Sequence, residues 1–190
     1  MAGTKKSQKV SLGLTITVSA FMVIGISIRA LGFLRPFSVP TGSMTPAISP
    51  GDHVMMEGFT FLVRKPQRGE IVVFKTDGIP LLPAGQIYEK RLVGLPGERI
   101  RISDGKLYVD DRLTSLSNSK GGIQYLSLPA SVSPASSDKP VTVPAGHYFV
   151  IGDNSSNSYD SRSWGFVPAE NIMGQIAFCY WPPKNMGWVK

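Results

Sequence analysis

Histidine is scarce in this chain. It occurs only at His53 and His147, so the usual proton acceptor for a serine nucleophile is available at two places only. Cys179 is the single cysteine, which excludes an intrachain disulfide and any cysteine-rich metal site. Its neighbours in "IAFCYW" are apolar and make it a small buried hydrophobe. The thirteen acidic residues stand side by side only at Asp110-Asp111, and with two histidines they offer no metal site; no cofactor is expected. Dense basic tracts are also missing beyond "KKSQK" at the amino end. The net charge of +7 is otherwise scattered, a weak membrane-surface signal rather than a nucleic-acid footprint. With 42% hydrophobic and 17% charged residues, the chain is not a disordered one.

Long apolar runs are absent but for one. Val10 to Ile28, "VSLGLTITVSAFMVIGISI", carries no charge. At about 1.5 Å per residue it just covers a hydrocarbon core of about 30 Å. A cleaved secretory signal would share the basic start, but "VSA" at residues 18–20 lies inside the apolar run, a poor place for cleavage. A buried core helix is the third option, but in a chain of this size a run apolar on every face fits a membrane span better. We therefore expect a transmembrane anchor over residues 10–34 behind a cytoplasmic tail of residues 1–9. Lys5, Lys6 and Lys9 before the span outnumber Arg29 and Arg35 after it, so the amino terminus is expected on the cytoplasmic side and the remaining chain outside.

Few helical periods follow; twenty glycines and fifteen prolines suggest strands and turns. "RGEIVVFKT", "HYFVIGDN" and "NIMGQIAFCYW" read as apolar strands, the last being the final strand. In "ERIRISDGKLYVDDR", Ile100 and Ile102 alternate with arginines, Leu107 and Val109 alternate on the return, and Asp104-Gly105 supplies a hairpin turn. The Ser/Pro-rich stretch 126–140 reads as a flexible surface loop. The expected fold class is all-β, a single compact antiparallel β-domain over residues 36–190 behind one transmembrane helix.

Three stretches carry chemistry. In "VPTGSMTPAISPGD", Gly42 allows the tight turn that would present Ser43 at a cleft, with the Thr41 hydroxyl close by and Pro40 and Pro46 opposing regular helix. In "IYEKRLVGLPGER", a strand would set Gln86, Tyr88, Lys90 and Leu92 on one face. A lysine between Tyr88 and Leu92 is then open to desolvation, which disfavours its charged form and makes it a base. A snorkelling Lys90 with its amine in water would have no such role. In "GDNSSNSYDSRSWG", Asp160 and Arg162 can pair to fix a polar loop and leave Ser158 for a neighbour. Each stretch alone also suits an ordinary loop or strand.

Together and in this order they resemble the type I signal peptidases, membrane-bound serine proteases with a serine–lysine dyad. The resemblance runs from about Phe37 to Gly174. "PTGSMTPAI" looks like the nucleophile segment, with "GDHV" as the short box after it, and "YEKRLVGLPGE" is similar to the general-base segment. It implies Ser43 as nucleophile and Lys90 as base, with the Ser43 N–H and Thr41 hydroxyl holding the oxyanion. It also implies a supporting set of Ser158, which would orient the lysine, the Asp160–Arg162 ion pair, Asp153, and Arg91 beside the base. Val39, Tyr88 and Glu89 match pocket-lining positions. The chain departs from the family pattern at Pro46-Ala47-Ile48, where Pro-Thr-Leu is usual, at Thr41, where serine is common, and at Glu89, where an apolar residue is usual.

The implied activity is removal of N-terminal signal peptides from exported preproteins. The implied partners are those preproteins, the lipid bilayer and a nearby secretion translocon, with no nucleic acid. The implied site is the outer face of a membrane, by default a bacterial inner membrane. A histidine-based hydrolase would need His53 or His147 in a nucleophile-elbow context, which neither has. A self-cleaving repressor peptidase would carry a DNA-binding helical region where this chain has its apolar run. A tethered β-domain that only binds would show no reaction of Ser43 with an acylating probe.

Overall fold

The computed structural model describes residues 15–23, 25, 32, 34–118, 121–126 and 140–189. Every strand pairing among them is antiparallel. The large sheet runs β1 (Leu34–Ser38), β2 (His53–Glu57), β13 (Ile172–Trp181), β3 (Ile71–Lys75), β4 (Ile87–Gly94), β11 (His147–Ile151), β12 (Val167–Pro168), with β14 (Gly187–Trp188) paired to β13. A second sheet runs β10 (Val141–Thr142), β5 (Arg99–Ser103), β6 (Lys106–Val109), β7 (Arg112–Thr114), and β8 (Ser117–Asn118) pairs with β9 (Gly121–Gly122).

Alternation explains where each side chain goes. β3 is a continuous apolar run because both of its faces are covered. Ile71 and Val73 pack with Val39, Met44, Ile48 and Val54, while Val72 and Phe74 pack with Leu92, Val150 and Trp164 on the other face. The hairpin forms as its sequence predicts. Asp104 (φ 51°) and Gly105 (φ 74°) make the turn, and Ile100, Ile102, Leu107 and Val109 face inward onto Val93, Phe149 and Ile151. Burying one such side chain contributes about 1.5–3 kcal/mol, so this hairpin is fastened by its inner row rather than by its turn alone. The two sheets meet closely at Gly94, where a Cβ would stand 2.8 Å from Ile100 Cγ1 and 2.9 Å from Phe149 Cβ.

Between β1 and β2 the chain makes a closed loop, residues 39–52. The Val39 N–H donates to the Asp52 carbonyl at 2.9 Å, and Gly51 N–H donates to the Val39 carbonyl at 3.0 Å. The Asp52 carboxylate accepts from Ser49 N–H (2.8 Å) and from the Asn185 amide (2.7 Å). Val39, Met44 and Ile48 plug the loop into the core, so a segment without regular structure is held by burial as well as by hydrogen bonds.

The expected amino-terminal anchor is corrected only at its end, where Leu34 belongs to β1. Residues 15–23 and 25 are helical and exposed, but no helix among the described residues is long and apolar enough to cross a membrane. Much of the expected 10–34 anchor lies outside the described residues, as does the 1–9 tail. Residues 127–139 of the expected 126–140 loop also lie outside them. β13 is not the final strand, since β14 folds back onto Phe178 and Cys179. Cys179 is buried in the core, as its apolar neighbours predict.

Candidate active site

The cleft forms where the large sheet leaves an edge open. β3 pairs with β4 from Ile87 to Arg91, whereas β11 pairs with β4 only at Arg91, Leu92 and Gly94. The other side of Ile87–Lys90 thus has no strand partner among the described residues. Pro40–Ser43, Gln86–Lys90 and Ser156–Tyr159 together line this opening. All three chemical stretches of the sequence meet here.

Ser43 Oγ and Lys90 Nζ are 2.8 Å apart, and both residues are buried. Lys90 Nζ also donates to the Glu89 carbonyl at 2.8 Å, and the Tyr88 ring lies beside it, centroid 5.7 Å away. Burial pushes the Lys90 pKa below the ordinary lysine value; the charges of Glu89 and Asp160 pull it back upward. An amine in this setting gives up its proton more readily than one in water and can accept the proton of the hydroxyl beside it. Thr41 Oγ1 is 3.5 Å from Ser43 Oγ. His53 is stacked edge-on against Tyr180, and His147 Nδ1 is 3.0 Å from the Ala145 carbonyl. Neither lines the cleft.

Two buried ion pairs fasten the surroundings. Arg91 forks onto Asp153, Nε to Oδ1 at 2.6 Å and Nη2 to Oδ2 at 2.7 Å, and Nη1 reaches the Gly69 carbonyl. Arg162 forks onto Asp160 at 2.8 Å and donates further to Ser155 Oγ and to the Leu126, Ser155 and Ser158 carbonyls. The guanidinium is the hub of the loop that ends at Ser158. Asp160 Oδ1 also accepts from the Arg162 N–H, opening the one-turn helix Ser161–Trp164. Ser158 lines the cleft, but its buried Oγ makes no hydrogen bond among the described residues. The contact to Lys90 that the resemblance implies is not formed here. Tyr88 and Glu89 line the cleft, whereas Val39 is buried in the core.

Two residues escape the sequence reading. Asn154 Nδ2 donates to the Gly42 carbonyl and Asn154 N–H to the Ser43 carbonyl, both at 3.0 Å. In a trans peptide the carbonyl and the following N–H point oppositely. Fixing the Gly42 carbonyl on Asn154 therefore turns the Ser43 N–H away from Asn154. Gly152 is the second. A Cβ there would clash with Ser158 Oγ and lie 2.5 Å from the Ser43 carbonyl oxygen, a backbone atom that cannot swing aside. Gly152→Ala is expected to displace Ser43 and lower kcat by about 10²-fold, as misplacing a reacting group by about 1 Å does, with a smaller change in KM. Steady-state kinetics check this.

A serine hydroxyl held against a buried amine, in a cleft at the edge of an antiparallel sheet, has the parts of a serine hydrolase in which an amine replaces imidazole. The family model "Signal peptidase, peptidase S26" matches residues 11–181. A probable signal peptidase I-2 of Synechocystis sp. is 35% identical over 177 residues, 93% of this chain and 75% of its own. Thylakoidal processing peptidase 1 of Arabidopsis thaliana is 35% identical over 175 residues, 88% of this chain, which spans 48% of that protein's length. Among solved structures, a signal peptidase I from Enterococcus faecalis V583 aligns with 60% of this chain and 97% of its own, at 32% identity and a TM-score of 0.45. The chain belongs to the signal peptidase family and is a peptidase of the signal peptidase I type.

Proposed function

We propose that this chain is a membrane-bound serine endopeptidase that removes N-terminal signal peptides from exported preproteins, with Ser43 as nucleophile and Lys90 as general base. The observation that carries the reading is the 2.8 Å contact between Ser43 Oγ and a buried Lys90 Nζ. A neutral amine has two N–H groups and one lone pair. One N–H on the Glu89 carbonyl fixes Nζ, and the lone pair is left for the Ser43 hydroxyl proton. Oγ attacks the scissile carbonyl as that proton moves to Nζ, and the resulting ammonium returns it to the leaving amine. Water then hydrolyses the acyl-enzyme, with Lys90 again taking the proton.

The Ser43 N–H and Thr41 Oγ1 serve the developing oxyanion. Thr41→Val is expected to lower kcat by about 10²-fold with KM little changed, the usual result of losing one such donor. Arg162 and Asp160 hold the wall carrying Ser158, and Arg91 and Asp153 hold the strand behind the base. The apolar run in residues 10–34 serves as the anchor that keeps residues 36–190 at the outer face of the membrane, beside the translocon that delivers preproteins.

The experiment is cleavage of a preprotein with an Ala-x-Ala site by the detergent-solubilised full chain, beside covalent labelling by an acylating β-lactam-type probe. Cleavage, with labelling that Ser43→Ala abolishes, supports the reading. A protein that neither cleaves nor labels is a binding module.

A further inference from the structure

Glu89 stands beside the base and works against it. Its charge raises the Lys90 pKa that burial lowers, so it does nothing for proton abstraction. Nor does it serve the fold by pairing: its side chain makes no ion pair or hydrogen bond with another residue among those described. Burial pushes its own carboxyl pKa up, with Lys90 and the Glu89 backbone N–H opposing only in part. A half-buried carboxyl in this position is undercompensated, and it gains most from an incoming positive charge.

The surroundings suit such a guest. Among the described residues Glu89 is the one acidic side chain of the cleft lining, and Lys90, which the chemistry needs neutral, is the one basic side chain. Tyr159, which also lines the cleft and is half exposed, adds an aromatic ring whose face attracts cations. The unpaired edge of β4 at Ile87–Lys90 offers backbone groups to an extended peptide, whose side chains would then pass Glu89 at alternate positions.

We propose that Glu89 provides a subsite for a cationic side chain, so that the favoured substrate carries a lysine or arginine close to the bond that is cut. The proposal rests on the reading of this cleft as a peptide-cleaving site. Uncharged residues are accommodated by the same cleft; a basic one is selected over them.

The test is a set of otherwise identical preprotein substrates with leucine or lysine at successive positions before the cut, cleaved by the wild-type full chain and by Glu89→Gln. The wild type is expected to prefer lysine over leucine by about tenfold in kcat/KM at one position. That preference should shrink as salt is raised and be lost in Glu89→Gln. The ratio is taken within one enzyme, so partial unfolding of the variant does not affect it. Lysine no better than leucine at every position in the wild type overturns the proposal without any variant, and so does an equal preference in Glu89→Gln. If the leucine substrates are cleaved and lysine is not preferred, only the subsite falls. If no substrate is cleaved, the reading of the cleft falls with it.

Discussion

Lys90→Met is expected to lower kcat/KM by about 10³- to 10⁴-fold while raising the stability of the fold. The first half follows from removing the only base within reach of Ser43 Oγ among the described residues, since a positioned acid–base group typically contributes about 10²–10⁴ in rate. Ser43→Ala is expected to cost at least as much, and the double variant little more than either, because the two groups act as a unit. His53→Ala should change nothing in the chemistry, its ring being occupied with Tyr180. The second half follows from linkage. Burial lowers the pKa of folded Lys90, so between the folded and unfolded pKa values the unfolded chain holds a proton that the folded chain lacks. Stability therefore rises with pH across that window and is diminished below it. Methionine fills similar volume without a proton to lose, so the variant should be the more stable protein near neutral pH and should lack that rise. Thermal unfolding at several pH values beside a cleavage assay reads both halves. A variant both inactive and unfolded would mean that the lysine holds the fold together.

Asp160→Ala is expected to act mainly on stability. Asp160 and Arg162 are both buried, and removing one partner leaves the other charge uncompensated, which costs about 3–5 kcal/mol. In a chain of this size that lowers Tm by about 10 °C. Arg162 also supplies hydrogen bonds to Ser155, Ser158 and Leu126, so the wall of the cleft loosens with it and kcat falls as well. Replacing both residues by apolar ones of similar size should restore much of the Tm but not the kcat. Calorimetry and kinetics on the single and double variants separate the two contributions.

What could be read from the sequence was local. The Asp104-Gly105 hairpin was legible because its turn and its alternating rows lie within one short stretch, and β3 and β11 because they are plain apolar runs. β1 was hidden: "LRPFS" holds an arginine and a proline, which an edge strand tolerates because one of its sides makes no ladder. The three chemical stretches were legible as types of residue, and their meeting at one cleft follows from the register of β4 between β3 and β11. Asn154 and Gly152 were not legible. The role of each is set by contact with the Gly42–Ser43 peptide more than a hundred positions away, and nothing in their own neighbourhood in sequence signals it. Ser158 shows the converse, a residue whose place in the cleft could be read but whose hydroxyl contact could not.

The central claim is that the base is the neutral amine of Lys90, and the pH dependence of kcat/KM tests it most directly. The account predicts that activity rises with pH through a single acid limb whose midpoint lies below the ordinary lysine range and is unchanged in His53→Ala and His147→Ala. A limb in the imidazole range that disappears when either histidine is replaced would contradict it.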